Sequence, residues 1–300
     1  MQGYIDIRRI EKPLRFENLI VEIGFGSGDY LVKIASENKD RVFFGVEKSW
    51  ISINKLYKKI IQNKLNNIFF CRADAYWVFY LLFKDQSIEK IIINYPDPWF
   101  KKSHIERRVT KRENLYIYAR KLVPFGEIKV RTDDYQLLEF TVKEALALRC
   151  FSINTTKLEI VEPETKYEKK WLSIGKTIYD LVLIKQKEPE SIDIKEIREV
   201  ERLFPIKVPT KDLNINKLIY KEFKIREGLY LKIFSFWEKG SDYALETLVS
   251  ENGFLQTFLT ILKRKNDYYI VDVSPFSEIL KTEGIQEVLK FIGSSLTEII

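Results

Sequence analysis

Six stretches of this 300-residue chain hold residue types whose spacing can do chemistry. The first is Glu22-Ile23-Gly24-Phe25-Gly26-Ser27-Gly28, at the end of the apolar run Asn18–Phe25. Glycines there permit a tight turn and let a ligand approach the backbone. A dinucleotide fingerprint needs Gly-x-Gly-x-x-Gly. Here the third glycine comes one position early, and Asp29 stands where that pattern has glycine. The second stretch ends in Glu47, nineteen residues after Gly28 and placed to accept hydrogen bonds from ribose hydroxyls. The third is Ala73-Asp74-Ala75. The fourth runs from Pro96-Asp97-Pro98-Trp99-Phe100-Lys101 to Arg108: an acid between two prolines, then aromatics, then cations. The prolines stiffen the loop around Asp97. Lys101, Lys102, Arg107, Arg108, Lys111 and Arg112 form a basic run suited to phosphate oxygens. The fifth stretch is Arg131-Thr132-Asp133. The sixth is Thr165-Lys166-Tyr167-Glu168, whose hydroxyl, ammonium and carboxylate can together grip a nucleotide.

The elements that must position these residues alternate. Asn18–Phe25, Arg41–Glu47, Asn67–Ala73, Ile88–Tyr95 and Gly126–Thr132 read as buried strands, continuous in apolar residues. Asp29–Glu37, Ser49–Asn63, Lys111–Leu122 and Tyr135–Leu148 read as helices between and after them, with Ser49 as an N-cap. Phe151–Lys157 and Lys176–Lys185 read as a closing pair of strands. This alternation predicts a doubly wound α/β fold, a mostly parallel sheet with helices on both faces. In such sheets ligands bind at the carboxyl ends of the strands, where the six stretches fall.

Beyond Lys187 the character changes. Residues 1–187 carry 34 Lys+Arg against 24 Asp+Glu, and residues 188–300 carry 16 against 19. A domain boundary is therefore placed at the charged junction Glu188–Glu201, giving domains 1–187 and 188–300. In the second, Leu229–Trp237, Phe254–Arg264 and Tyr268–Val273 read as strands and Glu283–Ile300 as an amphipathic helix, a smaller α+β unit. Lys195, Arg198 and Arg202 alternate with Glu196, Glu199 and Glu201 as on a solvated helix. Its apolar runs must be buried, within the unit or against the first domain. It has no glycine-rich phosphate loop, no His and no Cys, so it is expected to support folding or substrate placement and to carry no chemistry of its own.

Composition excludes several classes. One histidine and two distant cysteines, Cys71 and Cys150, make neither a usual zinc site nor a disulfide framework, so no metal is expected and a reducing cytoplasm fits. No apolar run approaches the roughly 20 residues of a membrane span. The excess positive charge of the first domain points to a polyanionic partner.

Taken together, Glu-x-Gly-x-Gly-x-Gly after a buried strand resembles the Rossmann-like class I S-adenosylmethionine-dependent methyltransferases. Asp97-Pro98-Trp99, the basic loop with His104, Arg107 and Arg108, Thr132-Asp133 and Thr165–Glu168 narrow this resemblance. They are similar to the bacterial tRNA (guanine-N7-)-methyltransferases over residues 15 to 186. Phe100 stands where that family usually has proline, the segment before Glu22 is short, and residues after Glu188 lie outside the common pattern. The resemblance implies methyl transfer from S-adenosyl-L-methionine to N7 of guanosine 46 in the variable loop of tRNA, by a monomer or homodimer. It implies a cofactor site of Glu22, Gly24, Gly26, Gly28, Glu47, Asp74 and Asp97, with Asp97 also catalytic. Lys101, Asp133, Thr165, Lys166, Tyr167 and Glu168 would hold substrate, and His104 would make a polar contact.

The residues suit that chemistry. Guanine N7 attacks with its lone pair and needs no base, so positioning matters most. Asp97 can accept from guanine N1–H and the N2 amine, and its charge favours a base that becomes cationic. Trp99 either stacks on a splayed base or anchors its loop. Competing readings are a methyltransferase acting on another RNA or a small molecule, and a non-catalytic RNA-binding protein on the same fold.

Overall fold

The computed structural model describes residues 1–9, 13–14, 16–158, 177–209 and 214–297. The chain divides into two compact units, Met1–Asp193 and Ile194–Ile300. In the first, β1 (Leu19–Ile23), β2 (Val42–Glu47), β3 (Ile68–Arg72), β4 (Ile88–Asn94) and β5 (Leu122–Thr132) are parallel. β7 (Ile178–Lys185) runs antiparallel to β5, and β6 (Phe151–Leu158) antiparallel to β7. The order across the sheet is β3-β2-β1-β4-β5-β7-β6. All five residues of β1 are buried, as a central strand covered on both faces requires.

On one face, α1 (Asp29–Glu37) and α2 (Trp50–Gln62) bring Leu31, Ala35, Ile53, Leu56 and Ile60 against Ile20, Phe43, Phe70 and Ile92. α2 starts at Ser49, whose hydroxyl accepts from the Ser52 N–H as the sequence predicts. The other face holds α3 (Ala75–Leu82), α4 (Arg112–Lys121) and α5 (Tyr135–Ala147). There Phe83 meets Phe44 edge-on, and Phe79 packs on both Phe83 and Tyr118. The strand readings hold within a residue or two, except that β5 starts four residues before Gly126. α3 is a helix that the sequence pattern does not mark. Its sequence AYWVFYLL is apolar all round and shows no helical period, because six of its eight residues are buried.

The second unit is an antiparallel sheet of order β8-β13-β12-β11-β10-β9. Its strands are Ile206–Pro209, Glu222–Arg226, Leu229–Lys239, Asp242–Glu251, Phe254–Arg264 and Tyr268–Val273, labelled β8 to β13 in that order. The helix Glu283–Thr297 lays Ile285, Val288, Leu289 and Ile292 on Leu229, Leu231, Ile233, Leu245, Phe258 and Leu262. Alternate residues of these apolar runs are thus buried within the unit, while Trp237 and Leu255 are exposed. β8, β9 and β11 are strands beyond those the sequence reading gives; in β11 (DYALETLVSE) the Ala, Leu and Glu content masks a period-two burial pattern. One expectation is corrected. Residues 195–202 form no helix. Ile197 is buried, Glu199 bridges Thr282, and the Val200 and Glu283 N–H groups bond the Lys281 and Arg198 carbonyls. Backbone pairing to the start of the last helix outcompetes the charge alternation.

Among the described residues no helix is long and apolar enough to cross a membrane.

Candidate active site at the carboxyl ends of the strands

The glycine loop joins β1 to α1. Gly24 and Gly26 hold φ of +72° and +54°, and a Cβ on either would meet nothing within 4 Å. Backbone conformation alone demands glycine there, and the space beside the loop stays open. Gly28 shares the left-handed backbone at φ +76°, and a Cβ there would in addition crowd Leu56, at 2.7 Å from Cδ1 and 3.2 Å from Cβ. The Gly24 N–H donates to the Val46 carbonyl at 2.8 Å. The Gly26 N–H donates to Glu47 Oε2 at 3.1 Å, while Glu47 Oε1 accepts from the Lys48 and Ser49 N–H groups. Glu47 therefore latches the loop to the end of β2, with part of its acceptor capacity left over.

Glu22 is 2% exposed. Its Oε1 accepts from Asn94 Nδ2 at 3.2 Å, and its Oε2 is buried with no partner among the described residues. Burial pushes this carboxyl up to about 8; the Asn94 bond opposes the shift and the Glu47 charge adds to it. Asp74 caps α3 by accepting from the Tyr76 N–H at 2.9 Å and pairs with Lys48 Nζ at 2.5 Å. An orphaned buried carboxylate oxygen beside an open glycine cradle fits a ligand that brings its own ammonium or hydroxyl donors.

β4 ends at Asn94, and the loop beyond it is braced. Tyr95 (φ 50°) donates its N–H to the Arg131 carbonyl of β5 at 2.7 Å. Trp99 (φ 46°) lies under the Arg107 guanidinium at 5.1 Å and meets the His104 ring edge-on at 5.7 Å. Arg108 is buried, donates to the Pro98 carbonyl at 2.8 Å and stacks on Phe140 at 4.4 Å. Trp99 is thus a loop anchor. Asp97, Phe100 and Lys101 remain exposed. Asp133 follows β5 at the same end of the sheet, since Asn94 and Arg131 are register partners. Its neighbour Asp134 caps α5. Thr165, Lys166, Tyr167 and Glu168 lie outside the described residues.

The expectation that the whole basic run meets phosphate is corrected. Arg108 is spent on Pro98 and Phe140, Lys111 lies between Glu106 and Glu113, and Arg112 pairs with Glu144. Two structural features carry residues outside that reading. Asn94 holds Glu22 and carried no sequence signal of its own. Arg131 and Asp180, register partners in β5 and β7, form a buried two-bond pair at 2.7 and 3.0 Å, joined by Lys129. Burial opposes ionisation of Asp180, but Arg131 and Lys129 hold its carboxyl below the usual range. A lone acid inside the apolar run IYDLVLIK was a readable sign that a partner faced it.

This sheet order, with a glycine loop after β1 and carboxylates at the ends of β1 and β2 and at the start of α3, defines the class I S-adenosylmethionine-dependent methyltransferase fold. A family model described as "Putative methyltransferase" matches residues 17–181. A tRNA (guanine-N(7)-)-methyltransferase of Aquifex aeolicus is 47% identical over 297 residues, 99% of this chain and 100% of that protein. One from Thermotoga maritima is 29% identical over 94% of this chain and 90% of its own. The chain belongs to the tRNA (guanine-N(7)-)-methyltransferase family. Among solved structures, a 30S ribosomal A1408 methyltransferase from an uncultured bacterium aligns over 57% of this chain and 88% of its own. It does so at 17% identity with a TM-score of 0.42.

Proposed function

We propose that this protein transfers a methyl group from S-adenosylmethionine to N7 of guanosine 46 in the variable loop of tRNA, in the cytoplasm, as a monomer or homodimer. The observation that carries this reading is the end-to-end match to the Aquifex aeolicus relative, whose name states the guanine-N7 reaction. S-adenosylmethionine, when bound, supplies an electrophilic methyl group on a sulfonium centre. Glu22 offers its unpartnered oxygen to the cofactor's ammonium, Glu47 and Asp74 take its hydroxyl and amine donors, and Gly24 and Gly26 leave room for it. Asp97 accepts from the Watson–Crick edge of the target guanine and favours the cationic product. No residue removes a proton from N7, so catalysis rests on orientation. Lys101, Asp133 and Thr165–Glu168 hold the nucleotide.

The test is incubation of the protein with methyl-labelled S-adenosylmethionine and a tRNA transcript, followed by nucleoside analysis. Labelled 7-methylguanosine is expected, and none from a transcript with adenosine at position 46. Label on another nucleoside, or undiminished label on the altered transcript, overturns the reading.

A further inference from the structure

Phe100 is 71% exposed, beside the exposed Asp97 and Lys101. Single exposed apolar side chains are ordinary, and Phe125 is also 71% exposed. The two differ in place. Phe125 precedes the part of β5 that pairs with Lys90–Asn94, at the amino end of the parallel sheet. Phe100 lies past the carboxyl end of β4, on the side where the glycine loop, Glu22 and Glu47 gather.

The surrounding loop makes its exposure a built feature. Trp99 takes a left-handed φ of 46°, a conformation that bulky residues seldom adopt and that surrounding structure must enforce. The Arg107 guanidinium over the indole and the His104 ring edge-on to it hold Trp99 there, and Arg108 fixes the preceding carbonyl. His104, Arg107 and Arg108 brace the loop, and Lys111 and Arg112 pair with acids, whereas Lys101 is exposed. The loop thus presents an acceptor at Asp97, an aromatic face at Phe100 and a cation at Lys101. Those are the complements of a base edge, a base face and a phosphate.

We propose that Phe100 is a stacking platform for a splayed base of the tRNA at this loop, a positioning residue for the methyl transfer. The proposal rests on the function proposed above. Stacking on an aromatic tolerates any base, so Phe100 adds affinity and orientation while Asp97 selects the base. Phe100→Ala should raise the KM for tRNA about tenfold or more, with cofactor affinity and melting temperature unchanged. Phe100→Trp should retain wild-type KM, whereas Phe100→Leu, apolar but without a π-face, should behave like Phe100→Ala. A direct readout uses tRNA with 2-aminopurine at position 45, 46 or 47. Wild-type protein should quench one of these probes on binding, and Phe100→Ala should not. Equal quenching by both proteins at all three positions, or full function in Phe100→Leu, overturns the proposal. So does a changed sedimentation mass with unaltered tRNA binding, which would assign Phe100 to a protein contact. Because quenching needs no turnover, failure of stacking is read separately from failure of the methyl-transfer assignment.

Discussion

The two halves of the site are built on opposite plans. On the β1–β2 side the carboxylates are engaged before any ligand arrives: Glu22 is buried and held by Asn94, and Glu47 accepts three backbone N–H groups. On the β4 side the bracing is done by cations and an indole, and the carboxylate of Asp97 is left in solvent. A small ligand of constant shape suits the first arrangement, where polar groups are fixed in advance. A large polyanion suits the second, where the frame is rigid and a few groups project from it.

The sharpest way to separate the halves is Asp97→Ala. Methyl transfer should fall about 100- to 1,000-fold, the usual cost of losing a transition-state contact, with cofactor affinity by calorimetry nearly unchanged. Turnover above about a tenth of wild type would remove Asp97 from the chemistry.

Glu22→Gln probes the other half through pH. The carboxyl rises from an ordinary 4.5 to about 8 in the folded chain. Below pH 4.5 both folded and unfolded forms hold the proton, and the favourable contribution is complete. Between 4.5 and 8 the unfolded chain gives up its proton while the folded one keeps it, so stability is lost as pH rises through that window. Glu22→Gln should flatten this decline in denaturant midpoints measured from pH 5 to pH 8. An unchanged slope would mean that Glu22 is ionised in the folded chain.

A smaller effect is expected from Arg108→Ala, which leaves the Pro98 carbonyl unpaired and uncovers Phe140. The loss should be about 1–3 kcal/mol, read as a raised KM for tRNA with little change in cofactor affinity. Equal loss of both would show that the halves are coupled. Smallest is Lys101→Ala. It should reduce the slope of log affinity for tRNA against log salt by about one, as for one phosphate contact. An unchanged slope would leave Lys101 outside the interface.

The first half was far more legible in the sequence than the second. Continuous β-branched runs ending in glycine or an acid fix both a buried strand and its carboxyl end, so Glu22, Gly24, Gly26, Gly28 and Glu47 could be placed without coordinates. The β4 loop was legible in content but not in use. A cation in a basic run looks the same whether it faces water or, like Arg108, lies under a ring and a carbonyl, since only tertiary structure brings Phe140 to it. For the same reason α3 and β11 escaped: one is apolar on every side, and the other is written in helix-forming residues that neighbouring strands overrule.

The two sheets also differ in how far apart in the chain their ladders lie. In the second unit β9 through β13 pair mostly as successive hairpins, such as Glu251 with Phe254 and Lys239 with Asp242. In the first, β1 must find β4, joining Leu19 to Ile88, and the ladder at Thr132 waits for Tyr179. Closing loops of that size costs chain entropy before any contact repays it. The second unit is therefore expected to order before the first. Pulse-labelled hydrogen exchange during refolding of the full chain should show amides of 229–264 protected ahead of those of 19–23 and 88–94. The reverse order would mean that the central strands collapse before their ladders are in register.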